Sequence, residues 1–138
     1  MIALVDTSVV LRQLFGEPGT LAEWGEIEEA YASRLLTLEL GRVIDRCRLN
    51  GEIDDAQVEH LHLEAQRLLR SIELLGMSER ILLRAGGPMP VVVGSLDAIH
   101  LATALELSES LGEPVVLATH DAQLARAARA SGLRVCGA

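Results

Sequence analysis

The chain has 138 residues, a formal net charge of −8 and 49% hydrophobic residues, enough to bury roughly two-thirds of its unfolded surface in one core; one domain, residues 1–138, is expected. The charge excludes a broad basic surface that grips nucleic acid by counterion release alone, and Phe15, Trp24 and Tyr31, the only aromatics, exclude a row of stacking platforms for single strands. The 12 basic residues are all Arg, which removes Schiff-base and P-loop lysine chemistry. Cys47 and Cys136 form no C-x-x-C pair, and no run reaches the ~18 apolar residues of a membrane span, so a reducing cytoplasm is the expected compartment.

Residues 2–5 are a continuous apolar run, too short for a helix and too uniform for a half-exposed strand, which predicts a strand buried on both faces of a sheet. It ends in Asp6-Thr7-Ser8, an acid and two hydroxyls at the strand's carboxyl end, where open α/β folds place ligands. Ser8 is expected to cap a helix over 9–15, stopped by Gly16-Glu-Pro-Gly19. Residues 20–29 predict a second helix and 31–35 a strand. Thr37 is the expected cap of a helix from 38 to about 50, and Asp54 and Asp55 open another that runs to about 70. The short loop between these two makes them an antiparallel pair. A strand at 71–75 and a helix at 78–85 follow. Gly86-Gly-Pro-Met-Pro90 is the strongest loop signal, 91–93 is an extended lead-in, and Ser95 is the expected cap of an apolar helix from 96 to about 110. A strand at 115–118, a helix at 121–130 and a strand at 133–135 close the chain. Strands alternating with helices imply α/β architecture with a parallel sheet.

Four acids draw attention as a set. Thr119-His120-Asp121 repeats the arrangement at Asp6, a buried strand followed at once by a hydroxyl and a carboxylate, so both acids belong on one sheet edge. Asp97 lies in the first turn of the apolar helix, with Leu101 and Ala104 on its own stripe, where an unpaired carboxylate is costly and a cation is one remedy. Glu39 borders the stripe of Leu40, Val43, Ile44 and Cys47, with Arg42 and Arg46 on its side as phosphate anchors. Each acid alone has a plainer explanation as a cap, a helix-dipole partner or a surface ion pair; the case rests on their combination. All-oxygen donors select a hard cation, Mg²⁺ or Mn²⁺, rather than zinc. Such clusters activate water and neutralise charge in phosphodiester hydrolysis. His60 and His62 are expected in solvent. His100, one turn after Asp97, is read first as a satisfied, partly buried histidine, the alternative being that it orients that carboxylate or contacts substrate, and His120 receives no role.

Val5-Asp6-Thr7-Ser8, Leu38-Glu39-Leu40, Leu96-Asp-Ala-Ile-His-Leu-Ala-Thr-Ala104 and Thr119-His-Asp-Ala-Gln-Leu-Ala125 together resemble the PIN domain, in particular the VapC-type toxins of bacterial toxin–antitoxin pairs. The resemblance implies a single PIN domain over 1–138, a three-layer α/β fold whose central parallel sheet has the order 3-2-1-4-5 and is flanked by helices. It implies a Mg²⁺-dependent endoribonuclease that hydrolyses RNA by metal-activated water. Its metal-site acids carry over onto Asp6, Glu39, Asp97 and Asp121, with Asp6 and Asp97 the principal ligands, and its site hydroxyls onto Thr119 and Ser8. It further implies a homodimer silenced by a small antitoxin. The segment 86–94 lies outside these motifs.

The alternative is a catalytically degenerate PIN domain that binds RNA or protein without cutting. A receiver-like protein would need a Lys, and a haloacid-dehalogenase-like one a second acid where this chain has Ser8. The paired helices over 38–70 carry more apolar residues than solvated helices need, which suits either packing on the sheet or a groove for a partner helix.

Overall fold

The computed structural model describes residues 1–138. Five strands, β1 (Ile2–Val5), β2 (Glu29–Ser33), β3 (Glu73–Leu75), β4 (Val116–Ala118) and β5 (Arg134–Cys136), form one sheet in the order β3-β2-β1-β4-β5. Every neighbouring pair is parallel. Six helices surround it: α1 (Thr7–Leu14), α2 (Leu35–Leu49), α3 (Asp55–Leu69), α4 (Glu79–Ala85), α5 (Ser95–Leu111) and α6 (Ala122–Ala130). No helix is long and apolar enough to cross a membrane.

Alternation along β1 divides the core in two, because successive side chains of a strand leave on opposite faces. Val5 packs with Val9, Val10, Leu36, Leu40 and Ala65 from α1, α2 and α3. Leu4 packs with Leu101, Ala104, Leu107, Leu124 and Ala127 from α5 and α6. The sheet is thus the middle of three layers. The connections from β1 leave toward β2 and the later chain returns at β4, so the strand order reverses beside β1. That switch point is where an open parallel sheet leaves a crevice at its carboxyl edge.

Several local expectations are corrected. Helix α1 starts at Thr7, because Asp6 rather than Ser8 is its cap; the Ser8 hydroxyl donates to Asp6 Oδ2 at 2.6 Å instead. Residues 20–29 do not form an α-helix: Ala22–Glu26 is a short 3-10 turn and Glu29 already begins β2. Gly25 weakens that helix, while the Glu28 N–H bonds the Met1 carbonyl and draws the segment toward the sheet. Helix α2 starts at Leu35, since Leu35 and Leu36 are both buried under it. The Thr37 hydroxyl, the expected cap, bonds the Arg34 carbonyl from inside the first turn. Residues 91–93 lead into α5 as expected and join no strand, but the cap of α5 is Gly94 rather than Ser95. Asp54, Ser78 and Asp121 do cap α3, α4 and α6, each accepting a backbone N–H three residues on. Gly112 ends α5 with φ of 67°, a left-handed position that glycine takes without steric cost.

Candidate active site

Asp6 and Thr119 each stand one residue past a strand, and those strands are neighbours paired Val5 to Ala118. The Asp6 N–H extends the ladder to the Ala118 carbonyl at 2.9 Å. Two hydroxyls then converge on one carboxylate oxygen: Asp6 Oδ2 accepts from Ser8 Oγ at 2.6 Å and Thr119 Oγ1 at 2.9 Å. Each hydroxyl also accepts. Ser8 Oγ takes the His120 N–H at 2.9 Å and Thr119 Oγ1 takes the Asp121 N–H at 3.0 Å. Donor and acceptor roles close without conflict, and Asp6 Oδ1 carries none of these bonds. Asp121 spends Oδ1 on the Leu124 N–H at 2.7 Å.

A second group forms where α2 and α5 approach β1. Glu39 Oε1 accepts from Thr7 Oγ1 at 2.6 Å and lies 2.6 Å from His100 Nε2. His100 Nε2 is also 3.6 Å from Asp6 Oδ1, so the imidazole stands between two of the acids. Burial pushes the Glu39 carboxyl up, but the bonds from His100 and Thr7 outweigh it and leave the group below its ordinary range. Burial pushes the His100 imidazole down, and contact with Glu39 and the charge of Asp6 reverse that, raising it. Asp97 is the odd member: no side chain or backbone group donates to it. Its carboxyl is raised by burial first, then by the charges of Asp121 and Asp6 and, more weakly, Glu39, with His100 opposing. All four acids therefore lie within one electrostatic neighbourhood.

No arginine pairs with any of them. Arg42 is exposed and bonds Asp45 at 3.1 Å, further along its own helix. Arg46 is exposed on the same helix, and no carboxylate lies within 4.0 Å of it. As they stand, no three Asp, Glu, His or Cys side chains enclose an ion: Asp6 and Glu39 are drawn to their hydroxyl and imidazole partners and Asp121 to its helix. The donor set nevertheless fits a hard divalent cation, since it is carboxylate oxygen with no competing guanidinium, and Mg²⁺ needs only one or two carboxylates beside retained waters. A cleft of about 530 Å³ near α4 and α5 is lined by none of the four acids. Of its charged groups, Arg80 and Glu106 bond each other at 2.7 Å and Glu109 bonds Arg84 at 2.9 Å.

The PIN domain family model matches residues 3–130. The chain belongs to the PIN-domain family. This PIN domain is 31% identical over 135 residues to Ribonuclease VapC47 of Mycobacterium tuberculosis (strain CDC 1551 / Oshkosh), covering 93% of this chain and 90% of that one. It is 41% identical over 70 residues to Ribonuclease VapC46 of Mycobacterium tuberculosis (strain ATCC 25618 / H37Rv), a match over 51% of this chain that spans about half, 52%, of that relative. Among solved structures, VapBC2 from Rickettsia felis bound to a promoter DNA fragment superposes with a TM-score of 0.68 at 14% identity, covering 98% and 97% of the two chains. A toxin-antitoxin complex from Klebsiella pneumoniae gives 0.58 at 16% identity, covering 89% of each. At such identities these two matches speak for the fold alone.

Three residues of this edge carry more than the sequence reading assigned them. Thr7, passed over between Asp6 and Ser8, donates to Glu39. His100 is wholly buried and contacts Glu39 rather than Asp97. Arg34 directly follows β2 beside the strand that ends in Asp6, exposed and with no carboxylate within 4.0 Å. The i+3 spacing of His100 from Asp97 was the available signal; nothing in the sequence distinguished Arg34 from the other arginines. At the opposite side of Thr119, Gly137 closes over its carbonyl with φ of 91°, and a Cβ there would stand 2.7 Å from that oxygen. Gly137→Ala is expected to cost roughly 1–2 kcal/mol in urea denaturation.

Proposed function

We propose that this PIN domain is a Mg²⁺-dependent endoribonuclease, with Mn²⁺ able to substitute, that acts as the toxin of a toxin–antitoxin pair. The observation that carries the reading is the gathering of Asp6, Glu39, Asp97 and Asp121 in one neighbourhood with a single imidazole and no arginine among them. Asp6 and Asp97 are the principal residues to hold the cation, with Glu39 and Asp121 completing the acidic set. When bound, the cation supplies Lewis acidity and neutralises charge on the phosphodiester.

The protein's own residues prepare that site. Ser8 and Thr119 fix Asp6 through Oδ2 and leave Oδ1 free of hydroxyl partners, on the side of His100. Glu39 Oε1 meets Thr7 Oγ1 and His100 Nε2, and its Oε2 is left without a partner. Asp97, which receives no donor, is free to ligate. RNA as substrate is supported by the two relatives named as ribonucleases. The antitoxin partner is supported by the toxin-antitoxin complex of like fold, and by Leu38, Leu49 and Leu63, exposed on α2 and α3, as an apolar surface for a partner helix; of the remaining leucines of that pair, Leu35, Leu36, Leu40 and Leu61 are buried and Leu68 and Leu69 half-buried. A homodimer completes the proposal.

Phosphate contact falls to Arg34, Arg42 and Arg46. Arg42 can exchange its exposed bond to Asp45 for a phosphate at little cost, but at a rise of about 1.5 Å per residue Arg46 lies roughly 10 Å along the helix from Glu39. Arg34 sits on the edge itself. Arg34→Ala is expected to raise KM severalfold with little change in kcat, and to lower the slope of log affinity against log salt by about 0.7, one contact to a single strand. Arg46→Ala is expected to have the smaller effect, and the reverse order would reassign the anchor.

The deciding experiment is RNA cleavage by antitoxin-free protein during a Mg²⁺ titration, wild type against Asp97→Asn. Cleavage that needs the cation and is absent in the variant is expected. Full activity in the variant or in chelator overturns the reading, and RNA binding without turnover in either cation would make this a binding module.

A further inference from the structure

We infer that His100 is a positioning residue: through Nε2 it holds the Glu39 carboxylate by one oxygen and thereby sets where the other oxygen is offered to a divalent cation, touching neither cation nor RNA itself. The inference rests on the reading of Glu39 as part of a cation site and goes beyond it by assigning what organises that residue.

Four observations carry it. His100 is fully buried in α5, whose neighbouring positions are Ala98, Leu101, Ala102 and Ala104, all buried as well, so it cannot meet substrate. Its Nε2 is committed at 2.6 Å to Glu39 Oε1. The Thr7 hydroxyl ends on that same oxygen, and Oε2 has no hydrogen-bond partner within the protein; both donors thus pin one side of the carboxylate and leave the other open. Finally, His100 Nδ1 is buried without a partner. A histidine retained only to fill the core would be cheaper as an apolar residue, because an unsatisfied buried nitrogen costs on the order of 1–3 kcal/mol. The position keeps a half-satisfied imidazole, and the half that is satisfied points at Glu39. Since Asp97 and His100 are one turn apart on α5, the bond to Glu39 also fixes the spacing between Asp97 and Glu39, which stand on different helices.

Partners behind a metal ligand commonly change metal affinity by about 10–100-fold when removed. The test is Mn²⁺ binding by titration calorimetry on the full chain, comparing wild type, His100→Leu, His100→Gln, Glu39→Gln and the double variant His100→Leu/Glu39→Gln, with circular dichroism and melting as the folding control. His100→Leu is expected to weaken binding about 10–100-fold, and His100→Gln, which can still present an amide N–H, to recover most of it. In the Glu39→Gln background His100→Leu is expected to change affinity less than about twofold, because the two act as one unit. If His100→Leu does not fold, His100→Asn, whose amide is too short to reach Glu39, replaces it in the cycle. A folded His100→Leu with wild-type affinity overturns the inference, as does a double variant in which the two losses multiply. Those results leave the cation site standing. Wild-type protein that binds no Mn²⁺ removes the site itself, and the inference with it.

Discussion

Asp97→Asn is expected to abolish RNA cleavage and yet to raise the melting temperature of the cation-free protein at neutral pH. The two effects have one cause. Asp97 is half-buried, receives no hydrogen bond and stands in the fields of Asp121, Asp6 and Glu39, so its carboxyl is raised above the ordinary range. A carboxyl whose folded value lies above its unfolded one binds more protons in the native state; stability is therefore lost as pH rises through that window and restored as pH falls. At neutral pH the charged form burdens the fold, and the neutral amide relieves it. The advantage of the variant is expected to vanish on acidification toward the unfolded aspartate value, about 3.9. Divalent cation should reverse the order. At 100 times its Kd, Mg²⁺ is expected to stabilise the wild type by about 2.7 kcal/mol, and the variant to lose most of that. Melting curves in chelator and in Mg²⁺ across pH check this. A variant that melts below the wild type in chelator at pH 7 contradicts the account.

Asp6→Ala is expected to be equally inactive and to move stability the other way, by about 2–4 kcal/mol. Asp6 is buried, caps α1 and accepts the hydroxyls of Ser8 and Thr119. Truncation leaves both hydroxyls without their acceptor at the junction of β1 and β4 and uncaps a helix. Urea denaturation measures the loss; a midpoint equal to the wild type would mean that Asp6 is replaceable in the fold. Two carboxylates of the same site are thus expected to part company: one is built into the structure, and the other is tolerated by it for what it binds.

That division was only partly legible beforehand. The apolar runs ending in Asp6 and Thr119 marked two strands and the edge they share, and Asp54 opened its helix as expected, because such signals depend on a few consecutive residues; the three residues expected as caps, Ser8, Thr37 and Ser95, do not cap. The misplacements came where distant packing outweighed local propensity. Leu35 and Leu36 are pulled into α2 by burial against the sheet, and residues 20–29 are drawn toward the sheet through the Met1 carbonyl. Ser8 lost its expected capping role because Asp6 reached the same helix end first. The strand order came from the resemblance to the PIN domain, since alternation of strands and helices alone does not say which strand lies beside β1.

What the linear sequence determined by itself is the α/β plan and the chemistry on offer: strands buried on both faces must be apolar throughout, so their polar ends stand out, and acids without lysine or paired cysteine leave hard-cation chemistry as the natural reading. The tertiary structure decided the partnerships. Thr7 and His100 serve Glu39, Ser8 and Thr119 serve Asp6, Arg42 turns to Asp45, and Asp97 is left with none. Glu39 and His100 are separated by 61 residues, and no pattern along the chain carries that distance. A hydrogen bond needs its atoms within a few tenths of an ångström, and only the packing of α2 and α5 against β1 sets positions that finely.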